Sequence, residues 1–194
     1  MTEPISLRER KKAETHERIT TAAWELFERQ GYEETTLTEI AEAASVSART
    51  LFHYFPTKEA LVYPTLDEEL DRLAAAFAAR PADEPVFASL LTASAELAAY
   101  RGDDPAPQEL ELTVLTDAGR KGRAYLEDAI TQRIHRMVLE RYEGNPDADL
   151  RARIAASVTG TIIAIGMEQL LADPATDMQT ETERGVAILR DMTR

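Results

Sequence analysis

Three observations predict an all-α fold: apolar residues recur at helical spacing, capping residues precede those stretches, and Gly or Pro follows them. No strand-like alternation of useful length occurs. At 194 residues and 44% apolar, the chain can bury a substantial core in one or two domains. It has no cysteine, which excludes disulfides, thiolate zinc sites and cysteine nucleophiles. The start, MTEPISLRERKK, lacks the apolar stretch of a secretory signal, so a cytoplasmic protein is expected.

Ser6-Leu7-Arg8-Glu9 is a capping box that opens a first helix at about Leu7. Ile19, Ala22, Ala23, Leu26 and Phe27 form its apolar stripe, with Trp24 to one side. Gln30-Gly31-Tyr32 ends it, with Gly31 expected in a left-handed cap and Tyr32 folded back on the last turn. Thr36 and Glu39 make a second capping box, and Leu37, Ile40, Ala41 and Ala44 share one face of the helix that follows. Ser45-Val46-Ser47 interrupts it, and Ser47 caps a third helix starting at Ala48. Leu51 and Phe55 pack that helix on the second, and Pro56 ends it.

Helix, tight turn, helix is the helix-turn-helix geometry, whose second helix fits the DNA major groove, about 12 Å wide. With Leu51 and Phe55 inward, Arg49, Thr50, His53 and Tyr54 are left to face outward. Arginine can donate a bidentate pair to guanine, threonine can bond a base edge or touch a thymine methyl, and tyrosine can reach phosphate. Two short helices in any bundle can share this spacing, so periodicity alone leaves DNA reading and plain helix packing both open.

Thr57 is expected to cap a fourth helix, with Lys58 in its first turn and Leu61, Leu66, Leu70, Leu73 and Phe77 along its apolar side. Pro64 falls inside that span and predicts a kink or break near Val62 to Pro64. Arg80-Pro81-Ala82-Asp83-Glu84-Pro85 reads as a linker. A helix from Pro85 to about Tyr100 follows, and Gly102 to Pro107 ends it. A short helix with Leu110, Leu112, Val114 and Leu115 closes at Gly119. A long amphipathic helix then spans Arg120 to Glu143, and Gly144-Asn145-Pro146 turns the chain.

The next helix runs from about Asp147 to Leu171, and its middle, IAASVTGTIIAIGM, is apolar on nearly all sides. Fourteen residues are too few to span a bilayer, which takes about 20, so no membrane partner is expected. Ala156, Gly160 and Ala164 recur every four residues and would let another helix approach closely. With Ile163, Met167 and, from a last helix over Thr180 to Met192, Val186 and Leu189, they are the expected homodimer face. The alternative is a helix fully buried within one subunit.

The run T-L-F-H-Y-F-P-T-K-E-A-L, preceded by I-A-E-A-A-S-V-S, closely resembles the DNA-binding domain of the tetracycline-repressor (TetR) family of bacterial regulators. The resemblance covers roughly residues 7 to 62. It implies a three-helix DNA-binding domain over 1–56 and a helical effector-binding and dimerisation domain over 57–194. Arg49, Thr50, Phe52, His53 and Tyr54 match the family's recognition helix, and Lys58 matches a residue that opens the next helix and meets phosphate. The caps Thr36 and Ser47 complete the residues assigned to DNA. Three departures stand out: the family's usual turn glycine is Ser45, its usual tyrosine is Phe52, and its usual histidine is Tyr54. The operator sequence therefore does not carry over. The family shape also implies a repressor that leaves a palindromic operator when a small effector binds, with Phe77, Phe87, Leu91, Thr113, Tyr125 and Met137 expected around that effector. Their composition suits an apolar or acyl-bearing molecule; as apolar residues at helical spacing they suit a plain core equally.

The net charge of −13 opposes DNA binding if averaged over the chain, but residues 1–60 carry 8 Lys+Arg against 11 Asp+Glu, so only −3 of it lies there. Arg8, Arg10, Lys11 and Lys12 cluster near the start. An enzyme is disfavoured: the three histidines His16, His53 and His135 show no metal-ligand spacing, and there is no phosphate loop or nucleophile elbow. No metal or cofactor is expected. A helical adaptor that binds only protein is the competing reading, and it leaves Thr36 to Lys58 without a purpose.

Overall fold

The computed structural model describes residues 6–101, 109–173, 176 and 178–192. Among them every regular element is helical: α1 Leu7–Gln30, α2 Leu37–Ala43, α3 Ala48–Tyr54, a 3₁₀ turn Glu59–Leu61, α4 Leu66–Ala78, α5 Val86–Arg101, α6 Glu109–Arg141, α7 Ala148–Ala172 and α8 Met178–Met192. The chain is all-α, as its periodicity requires. It forms two compact units, one of residues up to 64 with Glu109–Gly122, the other of 65–108 with the chain from Arg123 onward. Residues 57–64 fall in the first unit, where Ala60, Leu61 and Val62 are buried.

In the first unit, local chemistry sets each boundary. The Ser6 hydroxyl accepts the Glu9 amide, and the Glu9 carboxylate accepts the Ser6 amide at 2.9 Å, which closes the box that starts α1. Gly31 ends α1 with φ 85° and ψ 157°, a positive-φ but more extended conformation than the left-handed cap expected. Its amide still bonds the Phe27 carbonyl. α1, α2 and α3 bury Ile19, Ala23, Leu26, Ile40, Leu51 and Phe55. Each fully buried leucine or isoleucine contributes about 1.5–3 kcal/mol relative to exposure.

Pro64 does more than kink a helix. Lys58 does not open an α-helix; a single 3₁₀ turn is followed by a second start at Leu66, because proline supplies no amide and disfavours helix in its predecessor. Thr57 still caps, its hydroxyl accepting the Ala60 amide at 3.3 Å. Gly119 (φ 51°, ψ −131°) breaks α6 where the short helix was expected to close. The helix end expected at Gly102 to Pro107 lies outside the described residues.

In the second unit, α4 buries Leu70, Leu73 and Phe77 and packs on α5, which buries Leu90 and Ala93. Arg80, Glu84, Ser89 and Arg141 tie the ends of α4, α5 and α6 together. Arg80 grips Glu84 with two bonds of 2.9 and 2.8 Å, the fully buried Ser89 hydroxyl donates to Glu84 at 2.7 Å, and Arg141 donates to Ser89 and to the Phe77 carbonyl. These bonds hold the Glu84 carboxyl down at about 2. α7 presents Ala148, Ala152, Ala155 and Ala156 to its own unit. No helix among the described residues is long and apolar enough to cross a membrane.

Candidate nucleic-acid interface

The turn between α2 and α3 is built by a Schellman-type ending. The Val46 amide bonds the Ala41 carbonyl at 2.9 Å and the Ser45 amide bonds the Glu42 carbonyl at 3.0 Å, which requires the residue between to take positive φ. Ser45 occupies that position with φ 52°. Thr36 closes its box with Glu39 through bonds of 2.7, 2.8 and 3.2 Å, and these hold the Glu39 carboxyl below its ordinary value. Ser47 starts α3 by accepting the Thr50 amide at 3.0 Å, and its hydroxyl meets the Thr50 hydroxyl at 2.8 Å.

α3 then separates cleanly into faces. Leu51 is fully buried and Phe55 nearly so, which anchors the helix from behind. Arg49, Phe52 and His53, at i, i+3 and i+4, form the exposed ridge, with Phe52 51% exposed. Arg49 has no hydrogen-bond or ion-pair partner among the described residues and is available to a base edge or phosphate. Thr50 and Tyr54 differ from the outward placement expected of them. Both are half-buried: Thr50 is held by Ser47, and the Tyr54 ring lies between His53 (centroids 5.6 Å) and His16 of α1 (6.4 Å). A ring on a seven-residue helix packed over another helix cannot turn its whole length outward. His16 was not foreseen; it stacks at 4.8 Å on Phe55 as well, a contact between residues 39 positions apart that local pattern does not signal.

Lys58 departs from the phosphate-facing role the resemblance implied. Its ammonium donates to the carbonyls of Tyr32, Glu33 and Thr35 at 2.8, 3.2 and 3.2 Å and lies 4.2 Å from the Tyr32 ring centre.

The residues expected on a dimer face differ in burial within the single chain. Ala156, Gly160 and Val186 are buried inside their own unit, Ile163, Ala164 and Leu189 are half-buried, and the Met167 side chain lies outside what is described. A methyl group on Gly160 would meet the Thr131 hydroxyl of α6 at 2.8 Å, so α6 of the same chain lies against the stripe at Gly160. The outward apolar residues are Leu150, Ile154 and Ile165 of α7 and Ile188 of α8. An open groove of about 470 Å³ runs between α7 and α8 past Ile162, Ile165, Arg184 and Ile188, and a second of about 370 Å³ lies between Glu127, Thr131 and Glu168.

The six residues expected around an effector do not gather on either groove. Phe77 and Met137 are buried, and the Phe77 ring is covered by the Arg141 guanidinium at 3.8 Å. Phe87, Leu91 and Tyr125 are half-buried in the second unit, and Thr113 is exposed in the first. Periodicity marks an inward face, and an inward face is core as readily as cavity wall.

The helix-turn-helix of α2 and α3 is followed along the chain by the longer helices α4 to α8. Residues 19–63 match the family model described as bacterial regulatory proteins, tetR family. It is 41% identical over 78 residues to the HTH-type transcriptional regulator TcmR of Streptomyces glaucescens, covering 40% of this chain and 34% of TcmR. It is 45% identical over 53 residues to RutR of Escherichia coli K12, covering 27% of this chain and 25% of RutR. The matched stretch thus spans about a third or less of these curated relatives. Among solved structures, NalD of Pseudomonas aeruginosa, the secondary repressor of the MexAB-OprM efflux pump, superposes with a TM-score of 0.53 at 21% identity over 92% of this chain and 96% of NalD, a likeness of fold. Thermus thermophilus FadR, a repressor crystallised with lauroyl-CoA, superposes with a TM-score of 0.51 at 27% identity, covering 90% of this chain and 92% of FadR.

Proposed function

We propose that the protein is a cytoplasmic, homodimeric transcriptional repressor that reads a palindromic DNA operator with α3 and leaves it when a small apolar or acyl-bearing effector binds. The observation that carries this reading is the ridge of Arg49, Phe52 and His53, exposed on a helix whose opposite face is fixed by Leu51 and Phe55. An exposed phenylalanine beside an unpaired arginine on a capped, rigid helix suits apolar contact with a thymine methyl and a bidentate bond to guanine. Arg10, Lys11 and Lys12, all exposed on the first turns of α1, supply sequence-independent charge. Thr36 and Ser47 act from the helix starts, and Thr50 and Tyr54 flank the ridge. Catalysis has no part in this reading.

Two copies would present their reading helices to half-sites about 34 Å apart or a little more. The outward face of Leu150, Ile154, Ile165 and Ile188 is the surface we assign to the second copy. The acyl preference draws on the likeness to FadR and on the apolar lining available in the second unit. Binding of effector would favour a conformation in which the two heads no longer match the operator, a coupling of about 1–3 kcal/mol.

Fluorescence anisotropy of the purified protein on DNA from upstream of its own gene, against a scrambled duplex, tests the reading. Preference for the promoter that weakens as salt rises, and that Arg49→Ala reduces without loss of helix content, is the expected result. Equal, salt-independent binding to both duplexes would refute it.

A further inference from the structure

The loop joining α1 to α2 turns three backbone carbonyls, those of Tyr32, Glu33 and Thr35, toward one point, and the Lys58 ammonium fills it. An ammonium has three N–H donors, and three acceptors take them all. The fourth contact is the face of the Tyr32 ring at 4.2 Å. Tyr32 is itself fixed: it is buried against Phe27, with ring centres 5.3 Å apart. Thr35 is buried too, and its hydroxyl donates to the Gly31 carbonyl at 2.7 Å. The loop therefore has an inner side closed by its own bonds and an outer set of carbonyls left for a cation. These carbonyls sit just past the C-terminal end of α1, where the helix dipole also favours positive charge.

Lys58 stands four residues after α3 ends, across Phe55 and Pro56. Its side chain thus joins the chain leaving the reading helix to the loop that enters α2. We propose that Lys58 is a positioning residue for DNA recognition: it clasps the α1–α2 loop, fixes the setting of α3 against α1 and α2, and spends its charge on carbonyls instead of on a phosphate. The proposal rests on the DNA-binding reading above and assigns Lys58 a different part in it from the one the family resemblance implies.

The chain has only four lysines, Lys11, Lys12, Lys58 and Lys121, and the other three are exposed. That makes amine acylation of the intact native protein, read by mass spectrometry, a direct test. In the absence of DNA, Lys58 should react at least about tenfold more slowly than the other three, because a nitrogen held on three carbonyls cannot present a lone pair. Labelling at the rate of the others in free protein, with shielding only when operator DNA is added, would overturn the proposal in favour of a phosphate contact.

DNA binding supplies the second arm. Lys58→Met and Lys58→Arg should each lose about ten- to a hundredfold of the preference for operator over scrambled duplex, while the dependence of log affinity on log salt keeps its native slope. Arginine retains the charge, but its planar fork cannot aim three donors from one nitrogen. Native binding by Lys58→Arg, or a slope flattened by about 0.9 in Lys58→Met, would overturn the proposal. If either variant fails to fold, the labelling of native protein still decides. Native protein that shows no operator preference would refute the regulator reading while leaving the clasp to be judged by the labelling alone.

Discussion

Replacing Ser45 with glycine should stabilise the protein, and the size of the gain follows from one dihedral angle. Ser45 is exposed and its backbone sits at φ 52°, the only non-glycine residue with positive φ among those described. An L-residue in the left-handed region carries about 1–2 kcal/mol of steric strain between its Cβ and the carbonyl that follows. Glycine removes that strain but adds freedom to the unfolded chain, which offsets about 0.4–1 kcal/mol. The difference spans about 0–1.6 kcal/mol of net stabilisation and centres near 0.8, or roughly 2–3 °C in Tm for a chain of this size. Both amide bonds of the turn, Ser45 to Glu42 and Val46 to Ala41, are backbone bonds and survive the change. Urea unfolding followed by circular dichroism measures the gain, with Ser45→Ala as the control that keeps the Cβ and gains nothing. Loss of stability in Ser45→Gly, or equal behaviour of the two variants, would refute the argument that strain at this turn is stored in the native state.

Leu51→Ala removes a fully buried side chain and should destabilise the first unit by about 2–5 kcal/mol, checked by the same urea titration. Glu84 gives an acid-sensitivity prediction. Its folded carboxyl, bonded by Arg80 and Ser89, sits at about 2 against an ordinary 4.5, so the stability it contributes is present above pH 4.5 and is lost as the pH falls toward 2. Thermal melts across that window should fall less steeply in Glu84→Gln than in the native protein; parallel falls would place the acid sensitivity elsewhere. Ile165→Glu puts a charge on the outward α7 face, where the side chain is 50% exposed in the single chain, and should convert the proposed dimer to monomers by light scattering without lowering helix content. A dimer that persists would move the interface to another surface.

The boundaries of α1, α2 and α3 were legible because their causes are local. A cap and its partner lie three residues apart, and the strained position at Ser45 follows from where α2 must stop. The break at Gly119 and the one before Leu66 were legible for the same reason: glycine and proline act on their own dihedral angles. What failed to show in the sequence depended on which surfaces meet. The Ala156–Gly160 stripe announced a close helix approach, but spacing cannot say which helix approaches, and at Gly160 it is α6 of the same chain, through Thr131. The resemblance implies a phosphate contact for Lys58, and nothing local signals otherwise, because its carbonyl partners lie 23 to 26 residues earlier, in a loop whose convergence exists only after folding. The Arg141 bond to Ser89 spans 52 residues and had no signal for the same reason.

That division bears on how the reading head works. α2 and α3 are seven residues each, about half the length at which an isolated helix becomes marginally stable in water. Neither can hold its own orientation, so the direction in which Arg49, Phe52 and His53 point is set by caps at one end and tertiary contacts at the other. Leu51 and Phe55 fix the depth of α3, the contact of His16 with Phe55 and Tyr54 limits its rotation against α1, and Lys58 holds the loop on which α2 is hung. In the proposed regulator, residues that touch no DNA therefore set how well the ridge meets a groove. Substitutions among them should weaken operator preference more than they weaken nonspecific binding, because a misaimed helix loses base contacts while the exposed charges of α1 keep their attraction to phosphate.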